Sequence, residues 1–284
     1  MQFLIPVWND LLSLIACLPS VLHVADSIVI FDDGSSDGSS EYIEAVIAAK
    51  PRARIDHFRS PKQVGWTITR QALAEHADPS CIRVWADADD MIIPELWPRF
   101  VDQLSEDGCL PLGFYEVWGD ISHSTHWGFR GDPCHIALWP GDLRLRAWDR
   151  NYYGNTEPAY EGSGPSRVGP MCGFHMNGYK VDERLAFKGP RLREFNRPGQ
   201  GARKIEGFDS SHVHDEAMKV LFDNQSHRPV PMPAPLTEYL LTRIPSELRF
   251  TMTTGDRLHN QRVVEFLAQA RRDEFRSLVA SALR

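Results

Sequence analysis

The chain has no Cys-x-x-C pair, no apolar run long enough to cross a bilayer, no excess of positive charge and no internal repeat. Each absence removes a class of function. Five cysteines (Cys17, Cys81, Cys109, Cys134 and Cys172) are scattered and odd in number. That argues for free thiols in a reducing compartment rather than a disulfide framework or a thiolate metal site. The most apolar stretch, LLSLIACLPSVLHV over 11–24, is too short for a span and is interrupted by Pro19. No basic segment precedes it, so a signal peptide is not expected either. A cytoplasmic protein without an integral membrane segment is therefore expected. The net charge of −7 gives no global basic footprint for nucleic acid. A local groove with Arg130, Arg144, Arg146 and Arg150 keeps a nucleic-acid acceptor open.

What is present is an ordinary globular composition, 42% hydrophobic and 24% charged over 284 residues. Eight tryptophans are many, and most are expected in the core. Short β-like runs and amphipathic helical runs alternate through the first 110 or so residues. FLIPVWN (3–9), SIVIF (27–31), ARIDHF (53–58) and CIRVWAD (81–87) read as strands. DLLSLIACLPSVLHVA (10–25, with Asp10 as N-cap), SEYIEAVIAAK (40–50), TITRQALAEHA (67–77) and PELWPRFVDQLSE (94–106, with Pro94 in the first turn) read as helices. This alternation predicts an α/β fold, a mostly parallel sheet flanked by helices. Residues 111–200 are rich in Gly, Pro, Trp, His and Arg, lack clear periodicity and read as irregular functional loops, with 162–170 as a mobile loop. RPVPMPAP (228–235) reads as a linker or strap, and the segment from Gly255 as an amphipathic helix or helix pair. The organisation expected is a nucleotide-binding half (1–110), an acceptor-side and metal-completing half (111–227) and a C-terminal extension (228–284).

Two acidic clusters fall just after the second and fourth strands, FDDGSSDG (31–38) and DADD (87–90). In open α/β sheets, ligands sit at the carboxyl ends of the strands. Counted from Asp33, the first cluster also imitates an EF-hand calcium loop, with Asp33, Ser35, Asp37, Gly38 and Glu44 at ligand or turn places. A strand rather than a helix precedes it, Ser40 stands where an apolar residue is usual, and no second loop follows. A loop shaped to hold a nucleotide is the stronger reading. In DADD, Asp87 and Asp89 are two apart and point the same way on an extended segment.

LIPVWND, IVIFDDGSSDGS and QVGWTITRQALAEHADPSCIRVWADADDMIIPE, in this order and spacing, resemble the GT-A glycosyltransferases, closest to the family 2 group. The resemblance covers roughly the first 100 residues. It implies transfer of a sugar from a nucleotide-sugar donor, UDP-sugar favoured, to a hydroxyl acceptor, with Mn²⁺ or Mg²⁺ as cofactor. It implies that Pro6 and Trp8 flank the base, that Asp33 accepts from a ring N–H of the base, and that Arg70 approaches the nucleotide. Gly65 lies in the accompanying turn and Ala88 inside the acidic motif, both against the donor. Asp87 would lie near the ribose, Asp89 on the metal, and Asp90 would fix the turn. Asp32 and Asp37 are expected to shape their own loop by capping backbone N–H groups.

Family members often add a downstream histidine to the metal. DSSHVHDE supplies His212 and His214, alternating so that a strand would face both to one side. The Glu-Asp pair that carries the general base in inverting members is absent where KGPRLREF stands. Asp182 and Glu183, in the related VDERL run, are the catalytic candidates, with Glu157, Glu161 and Asp132 as alternatives. The missing pair keeps a catalytically inactive nucleotide-binding or scaffolding relative in view. The acceptor side is expected from 125–135 and 169–178, with Trp127 as a stacking candidate.

Overall fold

The computed structural model describes residues 1–117, 121–138, 145–150, 156–160, 169–176, 229–249 and 257–284. Asp182, Glu183, Glu161, His212 and His214 lie outside these residues, as do the side chains of Trp127, Asp132 and Glu157. The strands are β1 (Gln2–Val7), β2 (Ser27–Asp32), β3 (Arg54–Arg59), β4 (Arg83–Trp85), β5 (Asp90–Ile92), β6 (Cys109–Val117), β7 (His123–Leu138), β8 (Leu145–Arg150), β9 (Thr156–Tyr160), β10 (Met171–His175) and β11 (Pro229–Pro231). The helices are α1 (Leu11–Val24), α2 (Ser39–Ala48), α3 (Trp66–His76), α4 (Trp97–Asp107), α5 (Ala234–Arg243), α6 (Arg257–Arg272) and α7 (Arg276–Ala282).

The main sheet runs β3-β2-β1-β4-β7-β6-β10-β5, with β11 paired to β7. β3, β2, β1 and β4 are mutually parallel, as the alternation predicts. Antiparallel β7 then joins the parallel half to β6 and β10, which are parallel to each other, and β5 closes the order antiparallel to β10. The result is a mixed α/β sheet with helices on its faces.

Alternation along the strands divides the core. Phe3, Ile5 and Val7 of β1 and Ile28 and Ile30 of β2 face one cluster, shared with α1, α2, α4 and the C-terminal helices. Leu4 and Val29 face the other, with Leu73, Trp85, Ile136 and Leu138. α1 is apolar nearly all round because it is covered on several sides, by β5, α2 and α7. The apolar stretch 11–24 is thus a core helix.

Several expectations are corrected. The acid that caps α1 is Asp37, whose Oδ2 accepts from Leu11 N–H at 2.9 Å, whereas Asp10 makes no side-chain cap bond. Pro98, not Pro94, stands in the first turn of α4. Part of the segment expected to be irregular builds β6 and β7, the two long strands in mid-sheet. Their pairing shifts register between Pro111 and Gly113 and again between Tyr115 and Val117. Each bulge breaks the two-residue alternation by which a strand is read from sequence. The proline-rich strap forms β11 and leads into α5, and the C-terminal segment is a helix pair.

Candidate functional site

The parallel order places β1 between β2 and β4, so both acidic loops leave the carboxyl edge of the sheet on either side of it. The first loop is tied down by its own polar side chains. Asp32, fully buried, accepts from Ser35 N–H at 2.8 Å. Asp37 Oδ1 accepts from Ser39 N–H at 3.0 Å and from Ser39 Oγ at 2.6 Å, while its Oδ2 holds the start of α1. Asn9 N–H donates to Ser35 Oγ at 2.9 Å, and Asn9 Oδ1 accepts from Ser36 N–H at 2.7 Å. Asp32 and Asp37 therefore shape the turn as expected. Their carboxylates bind different backbone segments, and Asp33 binds a third, so the acids do not converge as a calcium loop requires.

Asp33 reaches across to the loop before α3. Its Oδ1 accepts from Val64 N–H at 2.5 Å and its Oδ2 from Gly65 N–H at 3.0 Å. Burial pushes its carboxyl above the ordinary range, against the pull of those two N–H groups. Gly65 has φ +96°, a left-handed conformation suited to glycine, and no atom within 4 Å of where a Cβ would stand. Pro6 is buried in β1 opposite Phe31, and Trp8, half-buried, follows at the strand end.

The second loop is held from both flanks. Arg70, from α3, is 1% exposed and its Nη2 donates to Asp87 Oδ1 at 3.1 Å. Its guanidinium lies 5.9 Å from the Trp85 ring centroid. It is a buried partner of the acidic motif, not a solvated helix charge. On the other side His135 Nε2, from β7, is 3.2 Å from Asp87 Oδ2. Burial raises the Asp87 carboxyl, but His135 and Arg70 outweigh it, so its pKa lies below the ordinary range.

Asp90 fixes the turn, its Oδ2 accepting from Asp87 N–H at 2.7 Å. Its Oδ1 lies 2.8 Å from His175 Nδ1, on β10. Asp89 is 5% exposed, its Oδ1 3.9 Å from the same nitrogen, and its carbonyl accepts from Met176 N–H at 2.7 Å. Ala88 is buried between the two acids. The Asp89 carboxylate, 5% exposed, is a hard oxygen donor of the kind that holds Mn²⁺ or Mg²⁺, so it fits a divalent ion.

Two residues of this site were not singled out in the sequence, His135 and His175. Both stand in segments assigned to the acceptor side. Register puts His175 opposite Asp90 and Ile136 opposite Trp85. No local pattern announces that, because the partners are far apart in sequence.

S. aureus TarS (residues 1–349) is 11% identical, with 96% of this chain and 91% of that chain covered and a TM-score of 0.43. The Pyrobaculum calidifontis mannosyltransferase PcManGT, determined with GDP-Man and Mn²⁺, is 13% identical over 99% of this chain and 85% of that chain, with a TM-score of 0.41. Curated proteins gave no match. The family assignment rests on the sequence itself, which matches the profile described as Glycosyl transferase family 2 over residues 3–179. That match spans more than half of the chain, and with it the chain belongs to glycosyltransferase family 2.

Proposed function

We propose that this glycosyltransferase moves a sugar from a nucleoside diphosphate sugar, UDP-sugar in the first place, to a hydroxyl acceptor, and that it uses a divalent metal. The observation that carries the reading is the arrival of Asp33, Asp87 and Asp89 at the carboxyl ends of β2 and β4, the two strands flanking β1. The donor's diphosphate is an anion and cannot lie directly against carboxylates. A bound Mn²⁺ or Mg²⁺ supplies the Lewis acidity that stabilises the leaving nucleoside diphosphate. In this assignment Asp89 holds the ion, with His212 or His214 as a further ligand.

The chain's own groups do the rest. Pro6 and Trp8 bracket the base. Each Asp33 oxygen already accepts one backbone N–H and keeps a lone pair with which to accept from a base N–H. Asp87, clamped by Arg70 and His135, is oriented for ribose hydroxyls. Asp182 or Glu183 takes the acceptor proton. A relative that binds nucleotide without turnover is the second reading, favoured by the missing Glu-Asp pair.

The test is thermal. UDP or GDP with Mn²⁺ raises the melting temperature of the wild-type protein, and Asp89→Ala abolishes that rise. An Asp89→Ala protein that responds equally removes Asp89 from the metal. A screen of nucleotide sugars with Mn²⁺ then separates the two readings. Slow donor hydrolysis supports the transferase, and its complete absence supports the inactive relative.

A further inference from the structure

Beneath the DADD turn, three strands bring together side chains that the donor site as proposed does not use as ligands. Asp90 comes from β5, His135 from β7 and His175 from β10. One ligand atom from each lies within 4.8 Å of the others. The exposures are 0% for Asp90, 5% for His135 and 7% for His175. The closest approaches are His175 Nδ1 to Asp90 Oδ1 at 2.8 Å and His135 Nε2 to Asp90 Oδ2 at 3.7 Å. The two imidazoles have centroids 4.9 Å apart.

We propose that Asp90, His135 and His175 form a second metal site, a buried two-histidine–carboxylate centre that holds a first-row transition ion such as Zn²⁺ or Mn²⁺ independently of the nucleotide. Three features carry this. First, two imidazoles with one carboxylate select transition metals over Mg²⁺ or Ca²⁺, which prefer all-oxygen shells. Second, the surroundings are those of a metal centre. Asp90 Oδ2 is oriented by Asp87 N–H, and Phe114 packs on both rings, with centroids 5.8 Å from His135 and 6.3 Å from His175.

Third, a further donor is at hand: Asp87 Oδ2 is 3.2 Å from His135 Nε2. The ion would fix the relative position of β5, β7 and β10, and with it the turn that presents Asp89 to the donor.

The test uses the full chain without nucleotide. After dialysis against Zn²⁺ and then against metal-free buffer, elemental analysis should find one transition-metal ion retained per chain. Asp89→Ala should retain it, and the His135→Ala/His175→Ala double variant should lose it. Should the double variant fail to fold, the wild-type protein loaded with Co²⁺ decides. Visible bands of a nitrogen-ligated, low-coordinate ion support the site, and the weak spectrum of an all-oxygen octahedral ion overturns it. No retained metal in the wild-type protein also overturns it, leaving the triad a hydrogen-bonded network. Loss of the metal in Asp89→Ala overturns it by assigning the ion to the donor site. Failure here leaves the nucleotide-dependent melting shift untouched, so the two readings fail separately.

Discussion

Arg70 shows how a single residue joins stability to the site. A guanidinium buried on a helix is costly to desolvate unless a carboxylate meets it, and Asp87 does so at 3.1 Å. Replacing Arg70 by Ala leaves Asp87 with His135 as its partner and opens a cavity beneath Trp85. Removing one member of a buried pair typically costs about 3–5 kcal/mol. The lower end is expected because His135 remains. Urea denaturation of Arg70→Ala and Arg70→Lys checks it, with the lysine variant recovering part of the loss. Gly173 is constrained in a different way. A Cβ there would stand 2.2 Å from the Met91 carbonyl oxygen, so only glycine lets β10 approach β5 this closely. That approach is what sets His175 against Asp90.

At the scale of elements, the first acidic loop works as a shared cap. Asp37 satisfies N–H groups at the start of both α1 and α2. A lost N-cap costs about 1 kcal/mol, so Asp37→Ala is expected to lose about 2 kcal/mol in chemical denaturation, and Asp37→Asn about half of that. β3 carries a pH dependence. His57 is half-buried, its Nε2 is without a partner, and burial lowers its pKa below 6.5 despite the opposing pull of Asp32. A base with a depressed folded pKa binds its proton more readily when unfolded. Its contribution is complete above pH 6.5 and is lost as pH falls from there to the folded value. Unfolding free energy measured across that range should fall with acid in the wild-type protein and fall less in His57→Gln.

For the molecule as a whole, the C-terminal helices pack against α1 and α2. Phe275, 1% exposed, meets Tyr42 edge-on with centroids 5.4 Å apart, and Arg271 pairs with Glu41 on α2. A Cβ on Gly38 would stand 3.3 Å from Leu11, 3.4 Å from Arg271 and 3.5 Å from Phe275. The helices thus back the loop that carries Asp33. Phe275→Ala is expected to cost about 3–5 kcal/mol, as for other buried aromatics. It should also reduce the melting shift given by UDP and Mn²⁺, which differential scanning fluorimetry reads directly.

The sequence by itself determined the parallel half of the sheet and both acidic loops. Each of β1, β2 and β3 and each of the first helices is specified by a local apolar period, and Asp and Ser close their loops on nearby N–H groups. The family motifs lie on those same residues. The tertiary structure decided the rest. Bulges hide β6 and β7 from any alternation pattern. Asp37 rather than Asp10 caps α1 because the two loops pack together. Arg70 is buried because β4 delivers Asp87 beneath α3. His135 and His175 become partners of Asp87 and Asp90 only through the register of β7 with β4 and of β10 with β5. Such pairing is set by contacts between residues distant in the chain, and no local window of sequence contains them.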